Sequence, residues 1–387
     1  MDFDVIIVGS GLVGASLALA LKSAGLKLAL VEAHPPSRSN ATGWDSRVYA
    51  ISPGSAAFLE SCGVWAALDP TRVSRVEEMC IFGDDIQSQL GFSAYEAGLR
   101  ELAFIVENRE LQRALWHALH DGSAIEVIAP ATCRALTLTV ESARLELGDG
   151  RTLHARLVVG ADGADSWVRT QAGIAVDMRA YRQTAVVANF AVAKPHRGVA
   201  YQWFRRDGVL ALLPLPGELV SMVWSTAEEN AQRLLTLTPA ELVAQVAAAS
   251  HDVLGELNLI TPAAAFPLRL QRVRQLVAPR LALVGDAAHN VHPLAGQGVN
   301  LGFRDARELV QVLMQRWPQT DCGDYHLLRR YARARREDIV ATQFAIDALQ
   351  RLFGNDSPSL ARLRNLGLRL TNRQLQLKNL LVQHAVG

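Results

Sequence analysis

The chain opens "MDFDVIIVGSGLVGASLALALKSAGLKLALVE", and the six residues from Gly9 to Gly14 constrain its fold more than any other stretch. Gly9, Gly11 and Gly14 have GxGxxG spacing, directly after the apolar run Asp4 to Val8. They open a helical pattern, Leu12 to Ala24, that stops at Gly25; Leu28 to Val31 is a second strand, closed by Glu32. Together these make a βαβ unit of about thirty residues. Gly9 permits the tight turn, Gly11 lets the backbone approach a pyrophosphate, and Gly14 lets helix and strand pack closely. The first helical turn, which holds Val13, points free N–H groups and a positive dipole end at the phosphates. Glu32 is placed to accept hydrogen bonds from ribose hydroxyls, and its charge disfavours a 2′-phosphate, so NADP is not expected as the tightly held ligand. NAD and FAD both present an ADP half, and the motif does not choose between them.

A second glycine-rich stretch, "LVGDAAHNVHPLAGQGVNLGFRDA" from Leu283 to Ala306, bears on that choice. Asp286 follows a strand and Gly285, where it can accept hydrogen bonds from sugar-alcohol hydroxyls. Gly296 and Gly298 allow close backbone approach, and the N–H groups near Val299 and Asn300 can face the pyrimidine end of a flavin. A reduced flavin is anionic there, and a helix N-terminus stabilises that charge. His289, His292 and Asp286 offer an alternative three-ligand metal set. Pro293 and the surrounding glycines argue against a rigid ligand face, so no metal is expected and the histidines read as residues with local hydrogen bonds. "GSG" is not GxSxG, which removes a serine-nucleophile reading.

The remaining chain is that of a globular protein: 387 residues, half of them hydrophobic and a fifth charged. A formal net charge of +1 gives no field to recruit nucleic acid, and none is expected as a partner. Cys62, Cys80, Cys133 and Cys322 form no CxxC and read as reduced, buried thiols of a cytoplasmic protein. Val5 to Leu21 carries no charge over 17 residues, but three glycines interrupt it and Asp2 and Asp4 precede it, so it reads as strand, turn and helix rather than a membrane span. Strand-turn-helix units recur near residues 5, 158 and 283, with strand-rich sequence from Tyr181 to Thr226 and helical sequence after Arg304. The expected fold is α/β: a Rossmann-type FAD-binding domain with an inserted β-rich substrate domain and a helical C-terminus. The expected boundaries are 1–70, 98–180 and 270–340 for the first, 71–97 and 181–269 for the second, and 341–387 for the helices.

GxGxxG at the start, "GADGADSWVR" in the middle and "GDAAHNVHPLAGQGVNLGFRD" near the end together resemble the single-component FAD-dependent aromatic hydroxylases, the para-hydroxybenzoate hydroxylase-like class. His292 to Asp305 resembles more narrowly the ubiquinone-biosynthesis hydroxylases. The resemblance covers nearly the whole chain. It implies that Asp162, Gly163 and Arg169 lie near FAD and a passing nicotinamide. It also implies that Arg47 of "WDSRVYAIS" reaches the cofactor, and that Arg109 of "ENRELQ" holds a matching position. Pro293 would lie against the flavin ring.

The activity implied is hydroxylation of an aromatic ring in a polyprenyl phenol or quinone precursor, through a flavin C4a-hydroperoxide. NAD(P)H is the transient reductant and dioxygen the oxidant; no catalytic acid or base is assigned. Tyr201, Trp203 and Trp224 are read as core or as cavity lining. From Ser357 to Gly387, Arg362, Arg364, Arg369, Arg373 and Lys378 stand without a single Asp or Glu. Such a basic amphipathic helix suits an anionic membrane surface, an accessory protein or the protein's own body. Peripheral membrane association and an oligomer therefore stay open. The alternatives carried are an FAD-dependent dehydrogenase or prenyl reductase of related fold, and a non-catalytic FAD-binding scaffold.

Overall fold

The computed structural model describes residues 1–36, 43–83, 88–122, 125–290, 296–353, 371–372 and 374–386. The βαβ unit is there: strand Phe3–Val8, helix Leu12–Leu21, a short 3-10 turn Lys22–Ala24 and strand Leu28–Val31. Gly25 ends the helix in the left-handed region at φ 65°. Phe3–Val8 pairs in parallel with Leu28–Val31 on one side and with Thr152–Gly160 on the other. Ile125–Ile128 and Leu281–Leu283 extend this sheet, again in parallel, and a hairpin of Cys133–Leu138 and Ala143–Leu147 joins antiparallel to Thr152–Gly160.

The strands read as unbroken apolar runs because both faces are covered. Val5 and Ile7 face helices Leu12–Leu21, Asn108–His120 and Gln297–Met314. Ile6 and Val8 face the 133–147 hairpin. Alternation along a strand thus feeds two separate cores and gives three layers. Full burial of each such side chain stabilises by roughly 1.5–3 kcal/mol.

A nine-stranded, mostly antiparallel sheet forms the second part. Its long strand Val176–Val192 pairs with Leu219–Ala227 and Ala264–Val273. The edge hairpin Glu78–Phe82 and Gln89–Ser93 joins in parallel through Val199–Arg205. Helices Glu228–Thr236 and Pro239–Ala249 close its core, the second starting at Thr238 with a full capping box to Glu241. The expected boundaries at 180/181 and 269/270 fall inside Val176–Val192 and Ala264–Val273. These strands run through with a register shift between Ala180 and Gln183. Composition does not change where a strand passes from one body to the next, so it gives no boundary signal. Residues 71–97 also divide. Val73–Val76 pairs with Ala103–Glu107 in a three-stranded sheet with Val48–Ile51, while the 78–93 hairpin goes to the large sheet.

The boundary expected at 340/341 lies inside the long helix Tyr325–Phe353. The C-terminal helix Leu375–Val386 and Asn372 before it contact the edge hairpin and the turn that follows it. Lys378 Nζ is 2.7 Å from Glu96 Oε2, and the Gly91 N–H donates to Asn372 Oδ1 at 3.0 Å. The charge of Lys378 is therefore used on the body. Arg362, Arg364, Arg369 and Arg373 lie outside the described residues. Among the described residues, no helix is long and apolar enough to cross a membrane.

Candidate cofactor and active site

Phe3–Val8, Thr152–Gly160 and Leu281–Leu283 run side by side and parallel, so the three glycine-bearing turns that follow them emerge at one edge of the sheet. At the first, Gly9 has φ 101°, and a Cβ there would stand 2.5 Å from the Ala161 carbonyl oxygen and 2.9 Å from Asp162 Cα. The first turn therefore rests on the second. A Cβ on Gly14 would be 2.0 Å from the Gly9 oxygen, so the helix sits directly on the turn. Around Gly11 there is open space, and it caps the helix with no side-chain partner and no acidic residue in the first turn, which holds Val13. An uncapped helix start beside open space is the geometry an anionic phosphate takes. Glu32 has a contact that its spacing did not suggest. Its Oε2 accepts from the Ser10 N–H at 2.6 Å and Ser10 Oγ at 2.8 Å, and its Oε1 from the His34 N–H at 2.7 Å. It fixes the turn it borders.

In the second turn, both oxygens of Asp162 brace the short helix Trp167–Gln171, accepting from Ser166 Oγ at 2.6 Å and from the Val168 N–H at 2.9 Å. Gly163 takes the left-handed conformation, φ 83°. Arg169 is buried and donates to the carbonyls of Ala164 and Ala287, tying the second turn to the third. Burial lowers its pKa from the usual guanidinium range.

The third turn, Gly285–Ala287, is held at each residue by a different element. The Gly285 N–H donates to Asp305 Oδ2 at 3.0 Å, the Asp286 carbonyl accepts from Gln271 Nε2 at 3.1 Å, and the Ala287 carbonyl accepts from Arg169 at 3.0 Å. The Asp286 side chain reaches the surface, with protein packed densely around it. That crowding raises its pKa, against the opposing charges of His289 and Arg47. The helix Gln297–Met314 starts beside it, with no side-chain cap, behind Gly296 at φ 60°. Gly298 and Val299 lie in its first turn. A Cβ on Gly296 would come within 2.9 Å of Ala50 Cβ. Asn300 is buried: its Nδ2 donates to the carbonyls of Ala50 and Gly296, and its Oδ1 accepts from the Ser52 N–H. Its side chain thus clasps the helix start to the strand Val48–Ile51. Pro293 and His292 lie outside the described residues.

Arg47 is exposed, with its guanidinium 5.4 Å from the ring centres of both Tyr49 and Phe266. Phe266 belongs to the large sheet, so this contact spans the junction of the two bodies. The segment before it is anchored by buried Glu107, which accepts from the Asp45 N–H at 2.5 Å and pairs with Arg72 at 2.9 Å. Asp45 Oδ2 in turn accepts from the Arg109 N–H at 3.2 Å, and the Arg109 guanidinium reaches the Gly43 carbonyl. A further recess of about 170 Å³ opens between Ala164, Asp165, Pro267, Arg269 and Asn290, at the same junction.

The sequence profile of the "FAD binding domain" family matches residues 2–344. A ubiquinone hydroxylase of Rhodospirillum rubrum is 37% identical over 99% of this chain and 89% of its own length. The 3-demethoxyubiquinol 3-hydroxylase of Escherichia coli is 36% identical over 99% of this chain and 98% of its own. The chain belongs to the ubiquinone-biosynthesis hydroxylase family of FAD-dependent enzymes. The fold agrees: p-nitrophenol 4-monooxygenase from Pseudomonas putida superposes with a TM-score of 0.79 at 17% identity, covering 99% of this chain and 98% of that one. This hydroxylase is a flavoprotein monooxygenase and FAD is its cofactor.

The residues present fit that group. The open cradle at Gly11 suits its pyrophosphate, and the uncapped second helix start beside an exposed carboxylate suits the far end. Three features escaped sequence reasoning. The His289 ring meets the carboxylate of Asp305, with Nε2 to Oδ2 at 2.5 Å. Arg335, thirty residues beyond Asp305, reaches the same carboxylate at 2.7 Å. Gln271 comes from a strand with no motif at all. Trp203 and Trp224 are core, and Tyr201 stacks on Trp203 at 5.9 Å. The four cysteines are free, but only Cys322 is fully buried; the other three are half-buried.

Proposed function

We propose that this hydroxylase inserts one oxygen atom of dioxygen into the aromatic ring of a polyprenyl phenol or quinol precursor of ubiquinone, NAD(P)H supplying two electrons and the second oxygen leaving as water. The single observation that carries this substrate class is 36–37% identity, over nearly the whole chain, to two enzymes named for that chemistry. FAD, when bound, supplies the redox and dioxygen chemistry that no side chain can. The protein's part is holding, orienting and excluding water. The first helix start, from Gly11 through Val13, holds the pyrophosphate, with Gly9 and Gly14 shaping the turn. Glu32 accepts from the ribose while keeping Ser10 in place, and Asp286 accepts from the ribityl hydroxyls. The N–H groups at Gly298, Val299 and Asn300 stabilise negative charge at the pyrimidine end, with Gly296 and Pro293 shaping the approach. Asp162 braces the turn beside the cofactor, Arg47 stands at its mouth, and Arg109 orders the segment that carries Arg47.

Phe266 supports a ring-binding role for the junction, since it offers an aromatic face at the surface beside Arg47. The lipophilic tail of such a substrate argues for delivery from a membrane surface or an accessory protein, with the basic residues between 357 and 373 as the contact. The test of the activity is the visible spectrum of the purified protein, then NAD(P)H oxidation and product analysis with short-chain polyprenyl phenols and quinols. Flavin that is reduced only when such a ring is present, with a hydroxylated product, supports the assignment. Flavin that stays oxidised with every such ring, or turnover without ring oxidation, overturns it.

A further inference from the structure

Asp305 lies on the helix Gln297–Met314 and is completely buried. Its carboxylate is filled from three directions. Oδ2 accepts from the Gly285 N–H at 3.0 Å and from His289 Nε2 at 2.5 Å; Oδ1 accepts from Arg335 Nε at 2.7 Å. Arg335 is itself clamped, with one nitrogen 2.7 Å from Asp338 Oδ2, and Asp338 Oδ1 takes Arg304 at 2.9 Å. Burial would by itself raise the Asp305 carboxyl, but the charges of His289 and Arg335 outweigh it and hold the group below the usual carboxylate range. An ionised carboxylate at the heart of the fold makes strong, directional hydrogen bonds. One of these goes to Gly285, the residue that immediately precedes Asp286.

Gly285 has φ 60°, and a Cβ there would meet Val13 at 3.2 Å, so the turn is confined on its other side by the first helix. Held between Val13 and Asp305, the turn fixes the backbone from which the Asp286 side chain projects. The far end of the chain of contacts is the long helix Tyr325–Phe353, which also anchors the strand before the turn: the Tyr331 hydroxyl donates to the Leu283 carbonyl at 2.8 Å. We propose that Asp305 is a positioning residue of the cofactor site. Clamped by Arg335 and His289, it fixes Gly285 so that Asp286 meets FAD in a set orientation, and the long C-terminal helix thereby bears on cofactor affinity without touching the cofactor. The proposal rests on the reading that Asp286 faces FAD.

The test is a double-mutant cycle on FAD affinity, measured by flavin fluorescence quenching as the full-length apoprotein is titrated with FAD, together with the midpoint potential of the bound flavin. Asp286→Asn weakens binding. Asp305→Asn alone weakens it roughly tenfold or more, the scale of one charge-assisted hydrogen bond, and moves the potential in the same direction as Asp286→Asn. In the Asp286→Asn background, the Asp305→Asn loss shrinks to about threefold or less. Should Asp305→Asn not fold, Arg335→Gln leaves the Gly285 and His289 contacts in place and shows the same non-additivity at smaller size. Losses that multiply, or a potential unmoved by Asp305→Asn or Arg335→Gln, overturn the positioning role. If Asp286→Asn leaves affinity unchanged, the reading of Asp286 fails first and the proposal falls with it.

Discussion

Val13 and Gly302 are in van der Waals register across two helices that lie far apart in sequence: a methyl on Gly302 would come within 2.6 Å of Val13 Cγ2. This contact joins the glycine turn at the start of the chain to the glycine helix near its end. It explains the absence of a side chain at position 302. Gly302→Ala overpacks the crossing and costs about 1–3 kcal/mol, seen as a lower thermal midpoint. Val13→Ala in the same chain removes the opposing methyls and recovers part of the loss. A Gly302→Ala protein as stable as the parent would show that the crossing is looser than described.

The glycines of the first turn separate stability from binding. A Cβ on Gly14 runs into the Gly9 backbone oxygen at 2.0 Å, whereas one on Gly11 meets nothing. Gly14→Ala therefore destabilises the apoprotein severely. Gly11→Ala costs at most about 1 kcal/mol, from the poorer N-cap, but pushes a methyl into the space the pyrophosphate needs and weakens FAD binding at least tenfold. Denaturant unfolding of both apoproteins, beside FAD titrations, tests the contrast, and similar behaviour of the two variants would refute it.

Much of this arrangement was legible in the sequence, because glycine reports directly on backbone geometry. Gly9, Gly14 and Gly296 stand where a Cβ would collide, and Gly11 stands beside open space. Strand and helix limits near the motifs were equally readable, since an apolar run buried on both faces has a sharp end. What stayed hidden were contacts between side chains brought together only by the tertiary fold. Asp305, His289 and Arg335 carry no common pattern, and Gln271 sits in a strand whose alternation says nothing of the Asp286 carbonyl it meets.

The two aspartates of the third motif give opposite pH signatures. In the FAD-free protein, the folded-state pKa of Asp286 is raised, so the native state binds more protons than the unfolded one between the two values. Stability falls as pH rises from the ordinary carboxylate value through the raised one, then levels. Asp286→Asn removes that fall, and its apoprotein is the more stable above the window although it binds FAD less well. Asp305 is depressed in the folded state, so its contribution is present above the unfolded carboxylate value and is lost as pH falls through the lower, folded one. Asp305→Asn is thus less stable than the parent at neutral pH, and the difference narrows in acid. Thermal midpoints of the three apoproteins from acid to neutral pH check both signs, and parallel curves for Asp286→Asn and the parent would contradict the first.

Arg47 stands at the junction of the two bodies, and its two aromatic neighbours set what each substitution removes. An exposed cation–π contact is worth about 0.5–1 kcal/mol. Phe266→Leu, which deletes one of them and keeps an apolar wall, therefore lowers kcat/KM about two- to fivefold. Arg47→Ala deletes both, together with the charge that opposes the raised pKa of Asp286, and lowers kcat/KM by roughly ten- to a hundredfold, the scale of a lost charged partner. Arg47→Lys keeps the charge but not the flat guanidinium that lies against Tyr49 and Phe266, and falls between the two. The ordering Phe266→Leu, Arg47→Lys, Arg47→Ala is the content of the prediction. It is read from NAD(P)H consumption against hydroxylated product with one quinol substrate, with FAD kept saturating. If Arg47→Ala retains the parental kcat/KM, the residue is a surface cation and the junction between the two bodies is not where the ring is held.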